Sequence, residues 1–214
     1  MDAGQWLIIG VCIVLGLWFV AGSITNVRKV RTISKALQTA GPKYGTVSAY
    51  RRLGNSGAQF IVEKAEAPFR QIEIVFLLEP RENLLLWLFE RIRGRRDELM
   101  LRANLRSAPA QEIRLGRRED RQFKASVLKE QGKPYEWLEA PAGLEVARRG
   151  GTDTAMIKRL EKLTERCGEA VRRVSIQSKE PHLTVRVRLS AEGEKSAATL
   201  LDAVGETLQS SGPG

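Results

Sequence analysis

Hydrophobic and polar positions are distributed very unevenly along this chain. From Trp6 to Ala21 no residue is charged and scarcely a polar atom occurs. With Gly22, Ser23 and Ile24 the run reaches about nineteen residues, roughly 28 Å as a helix, which matches the hydrocarbon thickness of a bilayer. Trp6 near one end and Trp18 with Phe19 near the other place aromatic rings where they favour the membrane interface. Residues 6–24 are therefore expected to form one transmembrane helix spanning the bilayer through Trp6, Leu7, Ile8, Ile9, Val11, Ile13, Val14, Leu15, Leu17, Trp18, Phe19 and Val20. Residues 1–5 would be a short extracytoplasmic N-terminus. A cleaved signal peptide is the first alternative, with Ala21-Gly22-Ser23 as its cleavage site, but no basic residue precedes the run. A lipoprotein would need a small residue before Cys12, where Val11 stands, and a buried core helix rarely runs so long without a polar residue.

The next apolar positions, Val27, Val30, Ile33, Leu37 and Ala40, recur at spacings of three and four, and Gly41-Pro42 closes the pattern. Residues 25–43 thus read as an amphipathic stem whose surface carries Arg28, Lys29, Arg31 and Lys35. Such a stem lies on anionic lipid, pairs with a partner helix, or simply docks on its own domain. Because basic residues follow the apolar run and none precedes it, the positive-inside rule sets the N-terminus outside and the rest of the chain in the cytoplasm, at the plasma membrane.

From Tyr44 the period changes to two. Val47 to Leu53 and Phe60 to Lys64 read as a hairpin around Gly54-Asn55-Ser56-Gly57. Phe69 to Leu78 is apolar on both faces, as in a central strand. After Pro80 comes an unbroken apolar run, Leu84 to Phe89, capped by Asn83 and followed by Arg91, Arg93, Arg95 and Arg96. About ten residues are too few to span a bilayer. The segment is either a core helix with a solvated arginine tail or an interfacial helix in which Trp87 and the arginines meet anionic headgroups. Further strands are expected at residues 99–105, 112–115, 123–128, 135–138 and 144–147. A helix then carries Met156, Ile157, Leu160, Leu163 and Cys167, with Thr152 or Asp153 as its cap and Gly168 as its stop. Residues 171–178 and 182–189 form a hairpin, Ser190 opens a last helix, and residues 210–214 are a disordered tail. The expected fold class is α+β: one transmembrane helix, then antiparallel strands with three helices over residues 44–209. That region divides, if at all, into a mostly β part (44–132) and a β-α-β-β-α part (133–209).

Composition narrows the function. Net charge is +10 with a sequence pI near 10.0, so the part after the apolar run attracts polyanions, the anionic leaflet or nucleic acid. Arg172, Arg173, Arg186 and Arg188 form one basic strip, and Arg114, Arg117, Arg118 and Arg121 another. Aromatics make up only 6% of the chain, and 25 acidic residues are interspersed with 35 basic ones, which argues against a nucleic-acid groove that stacks bases. A single histidine, His182, excludes a two-histidine metal site within one chain, and it reads as a surface residue, which argues against a histidine-based triad. Cys167 reads as core, Cys12 lies in the apolar run, and no disulfide is expected. No phosphate loop, catalytic constellation, metal site or cofactor motif is found. The sequence therefore points to a membrane-anchored, non-enzymatic scaffold or adaptor whose contacts are the bilayer, anionic headgroups (through Arg28, Lys29, Arg31, Lys35, Trp87, Arg91, Arg93, Arg95 and Arg96) and a protein partner. A membrane-tethered nucleic-acid binder and an enzyme without histidine or metal chemistry are the opposing readings.

Overall fold

The computed structural model describes residues 2–129, 134–140, 143–151, 154–189 and 193–209. Thr152, Asp153, Ser190 and the tail 210–214, to which the sequence assigned two caps and disorder, lie outside the described residues. The apolar run and the basic stem are one uninterrupted helix, α1 (Ala3–Ala40), about 57 Å long. Its first half is exposed and is long and apolar enough to cross a membrane. Its second half is buried along one stripe, Gly22, Asn26, Val30, Ile33, Leu37 and Ala40, and packs against the rest of the protein. The stem docks on its own domain.

Nine strands follow: β1 (Thr46–Arg52), β2 (Gly57–Glu63), β3 (Phe69–Leu77), β4 (Glu98–Leu105), β5 (Glu112–Arg117), β6 (Glu136–Ala140), β7 (Leu144–Arg149), β8 (Val171–Ile176) and β9 (Leu183–Arg188). They form a single antiparallel sheet in the order β1-β2-β3-β4-β9-β8-β5-β7-β6. The C-terminal hairpin β8–β9 therefore sits at its centre, between the N-terminal meander and the β5-β7-β6 group. Alternate residues fill the inner face: Phe60, Ile74, Phe76, Leu99, Leu101, Ile113, Leu115, Val174, Val185 and Val187 are all buried. Against this face lie α1, α4 (Thr154–Cys167), with Leu160 and Leu163, and α5 (Gly193–Gln209), with Leu200, Leu201 and Val204.

The sequence expectation of a strand at 123–128 is corrected. That segment is a helix, α3 (Arg121–Leu128), opened by Asp120, whose Oδ1 accepts from the Phe123 backbone N–H at 3.1 Å. Alternation of Phe123, Ala125 and Val127 suggested period two, but Phe123 and Val127 are also four apart and share one helical face. They pack with Ala147 in a small second core, on the side of the sheet opposite Val146. Gly116 lets the helix approach: a Cβ there would stand 2.6 Å from the Phe123 ring. The soluble part thus carries four helices of more than one turn among the described residues: α2 (Leu84–Ile92), α3, α4 and α5.

Candidate functional site

The junction of α1 with the sheet is held by a dense set of polar contacts. After β3, residues 78–83 carry the chain across α1 before α2 begins. The crossing admits only glycine on the helix, because a Cβ on Gly22 would lie 2.1 Å from the carbonyl oxygen of Arg81. One turn later Asn26 is fully buried. Its Nδ2 lies within bonding distance of the Glu79 carbonyl (2.9 Å), Glu82 Oε2 (2.8 Å) and Ser56 Oγ (3.1 Å), and its Oδ1 accepts from Arg81 Nη1 (3.1 Å). Arg81 also makes a fork to Asp97, at 3.0 Å to Oδ1 and 2.9 Å to Oδ2. Asp97 further accepts from the Glu79 backbone N–H at 2.8 Å and from Lys29 Nζ at 3.0 Å. Burial pushes the Asp97 carboxyl up, but these donors together outweigh it and hold the group below its ordinary range.

The second carboxylate of the junction, Glu79, is only 2% exposed. It accepts from the Trp87 indole N–H at 2.8 Å, and Arg81 and Arg91 each approach it at 3.4 Å, with Arg96 at 3.9 Å. Through Trp87 the clasp reaches α2. Asn83 caps that helix, its Oδ1 accepting from the Leu86 N–H at 3.0 Å. At the other end Gly94, with φ of 79°, allows the Gly94 N–H to reach the Arg91 carbonyl (3.1 Å) and the Arg95 N–H the Glu90 carbonyl (3.0 Å), a closure that needs a left-handed residue.

No residue of α2 is buried. Trp87 packs on Trp18 of α1 with ring centroids 5.2 Å apart, and the Arg91 guanidinium lies 5.1 Å from the Trp87 ring. On the far side Leu85, Leu88, Phe89 and Ile92 stand at i, i+3, i+4 and i+7. They form one apolar stripe with exposures of 74, 47, 50 and 78%, and among the described residues no apolar side chain of another element buries it. Trp18 precedes Ile24, the end of the apolar run, by six residues or about 9 Å. The bare stripe therefore stands level with the last apolar turns of α1.

The structure separates the basic residues that the sequence grouped together. Arg28, Arg31 and Lys35 are exposed on the free side of α1, whereas Lys29 is engaged with Asp97. Arg91 and Arg96 lean on Glu79. Arg93 lies over the Phe89 ring at 4.4 Å, and Arg95 pairs with Glu90 at 3.2 Å. His182, expected at the surface, is buried instead, and its Nδ1 accepts from the Leu105 backbone N–H at 3.0 Å. The hairpin turn folds it over the end of β4, a long-range contact that no local pattern reports. Cys167 packs against the core, and burial pushes its thiol up, away from reactivity. Among the described residues no group of three or more His, Cys, Asp or Glu side chains converges to hold a metal.

Sequence reading missed the clasp itself. Its one visible signal is Asn26, a polar residue falling on the apolar stripe of Gly22, Val30, Ile33 and Leu37. The chain matches no known family model, and no similar curated protein was found. The functional reading therefore rests on this geometry.

Asp97 keeps its charge to lower pH when folded than when unfolded. Its contribution is complete above the ordinary carboxylate range, about pH 4, and is lost as pH falls below it. Denaturation of the micelle-solubilised protein should show stability dropping on acidification through that window, with a smaller drop in Asp97→Asn. At neutral pH the same substitution removes the charge that Arg81 and Lys29 share and should cost about 3–5 kcal/mol.

Proposed function

We propose that the protein is a single-pass, membrane-anchored scaffold or adaptor, with its N-terminus outside and its basic α+β domain held against the cytoplasmic leaflet of the plasma membrane. It acts by binding and not by catalysis. The observation that carries this reading is α2: an apolar stripe left exposed among the described residues, tied through Trp87 to Trp18 in the apolar half of α1. A bare stripe of four large side chains in water is unfavourable by about 1.5–3 kcal/mol for each side chain left unburied. At the headgroup boundary the same stripe is stabilised. The exposed Arg28, Arg31, Lys35, Arg93 and Arg95 then face anionic headgroups, each adding on the order of 1 kcal/mol. The clasp fixes α1 to the sheet, so two contacts with lipid give the domain one attitude. The part of the domain turned away from the bilayer is left for a protein partner.

Orientation is tested by labelling. In a Cys12→Ala, Cys167→Ala background, a cysteine at Ser107 should be shielded from an impermeant thiol reagent in intact cells and react after permeabilisation. Labelling of intact cells contradicts the orientation.

The leaflet contact is tested separately on a fragment beginning at Gly22, which keeps every buried residue of α1. It should bind vesicles containing anionic lipid, with binding weakened by salt as exposed charge requires. Replacing Leu85 and Leu88 with Ser should lower vesicle binding severalfold while leaving stability within about 0.5 kcal/mol, because both are exposed. A folded fragment that ignores anionic vesicles at low salt contradicts the reading.

A further inference from the structure

The two arginine strips legible in the sequence do not lie apart. Arg117 at the end of β5, Arg172 and Arg173 on β8 and Arg186 on β9 converge with Arg93 and Arg95, which follow α2, around one cleft of about 1080 Å³. Four separate stretches of chain thus bring six guanidinium groups to one concavity. Four carboxylates also line it, and two of them are engaged: Asp120 accepts a fork from Arg173 at 3.0 and 3.1 Å, and Glu90 pairs with Arg95 at 3.2 Å. Glu98 and Glu119 are exposed at its rim. Among the described residues Arg117, Arg172 and Arg186 have no hydrogen bond or ion pair to any side chain, so their donors are free for a ligand. The lining contains no aromatic residue on which a base would stack.

We propose that this cleft binds a multiply phosphorylated anion, presented by the leaflet as a lipid headgroup. Planar guanidinium forks match phosphate oxygens two at a time, and several of them from different elements favour a ligand carrying more than one phosphate. The cleft opens beside the C-terminus of α2. If α2 lies in the headgroup layer, the ligand reaches the arginines without leaving its bilayer. The lipid source rests on the membrane reading above; the anion site does not.

The test uses the full chain in nanodiscs of phosphatidylcholine, with fluorescent inositol hexakisphosphate as probe. Binding should be saturable and should weaken at least tenfold in the triple variant Arg117→Gln, Arg172→Gln, Arg186→Gln. The charge-matched variant Lys158→Gln, Lys162→Gln, Lys179→Gln, outside the cleft, should change affinity by less than about twofold. Circular dichroism and unfolding midpoints establish that both variants fold, as expected for side chains that bond to nothing in the fold. Equal weakening in the two variants, or no saturable binding to the folded wild type, overturns the site. Adding a phosphoinositide to the same nanodiscs should displace the probe from wild type. Unchanged probe affinity there overturns the lipid source and leaves a free polyphosphate as ligand, a result independent of whether α2 touches the bilayer.

Discussion

Asp97 is a nearly buried carboxylate beneath the end of a long apolar helix, and it stays there only because Arg81, Lys29 and the Glu79 amide converge on it. Removing such a charge from water costs several kcal/mol, recovered only when most of its lone pairs are met. Here they are met by one residue of α1 and two of the loop that crosses α1. Satisfying the carboxylate therefore requires helix and sheet to hold one relative position. Gly22 lets the loop close against the helix, and Asn26 occupies the remaining loop groups. The joint is covalently continuous and polar-locked at once, because α1 runs unbroken from its apolar half into the half that forms part of the core.

What lies beyond the joint follows from that rigidity. With Glu79 fixed, its bond to the Trp87 indole sets α2 beside Trp18, and the closure at Gly94 turns the chain toward β4 and leaves Arg93 and Arg95 at the mouth of the arginine cleft. In the proposed reading the apolar half of α1 supplies the location, α2 supplies a second lipid contact, and the cleft supplies chemical selectivity. The last two alone would be weak. A short interfacial helix buries little, and an arginine cleft in salt is screened within about 8 Å.

The sequence was most legible where periodicity is strong. The apolar run, the stripe Val30-Ile33-Leu37 and the alternation in β3 and β9 are local signals, and each found its element. Residues 123–128 were misread because Phe123, Ala125 and Val127 satisfy both periods over so short a stretch; docking against Gly116 and Ala147 decides the matter, and those partners are distant in sequence. Strand order was illegible for the same reason: nothing local tells the β8–β9 hairpin to insert between β4 and β5. At the candidate site the arginines were visible, but not their division of labour. Lys29, Arg91 and Arg96 serve internal carboxylates, whereas Arg117, Arg172 and Arg186 come together only in the fold. Of the two readings of Leu84 to Phe89, core or interface, the core reading falls, because none of these residues is buried.

The depth of α2 is the quantity on which the account turns. A nitroxide at a cysteine replacing Leu88, in full-length protein otherwise free of cysteine and reconstituted in liposomes, reports it by power saturation with dissolved oxygen against a water-soluble nickel chelate. The account predicts that oxygen relaxes the label at position 88 far more than the nickel chelate does, as at the boundary of the hydrocarbon, while a label at Ser107 shows the reverse. Strong relaxation of position 88 by the nickel chelate, equal to that at Ser107, would place α2 in water and contradict it.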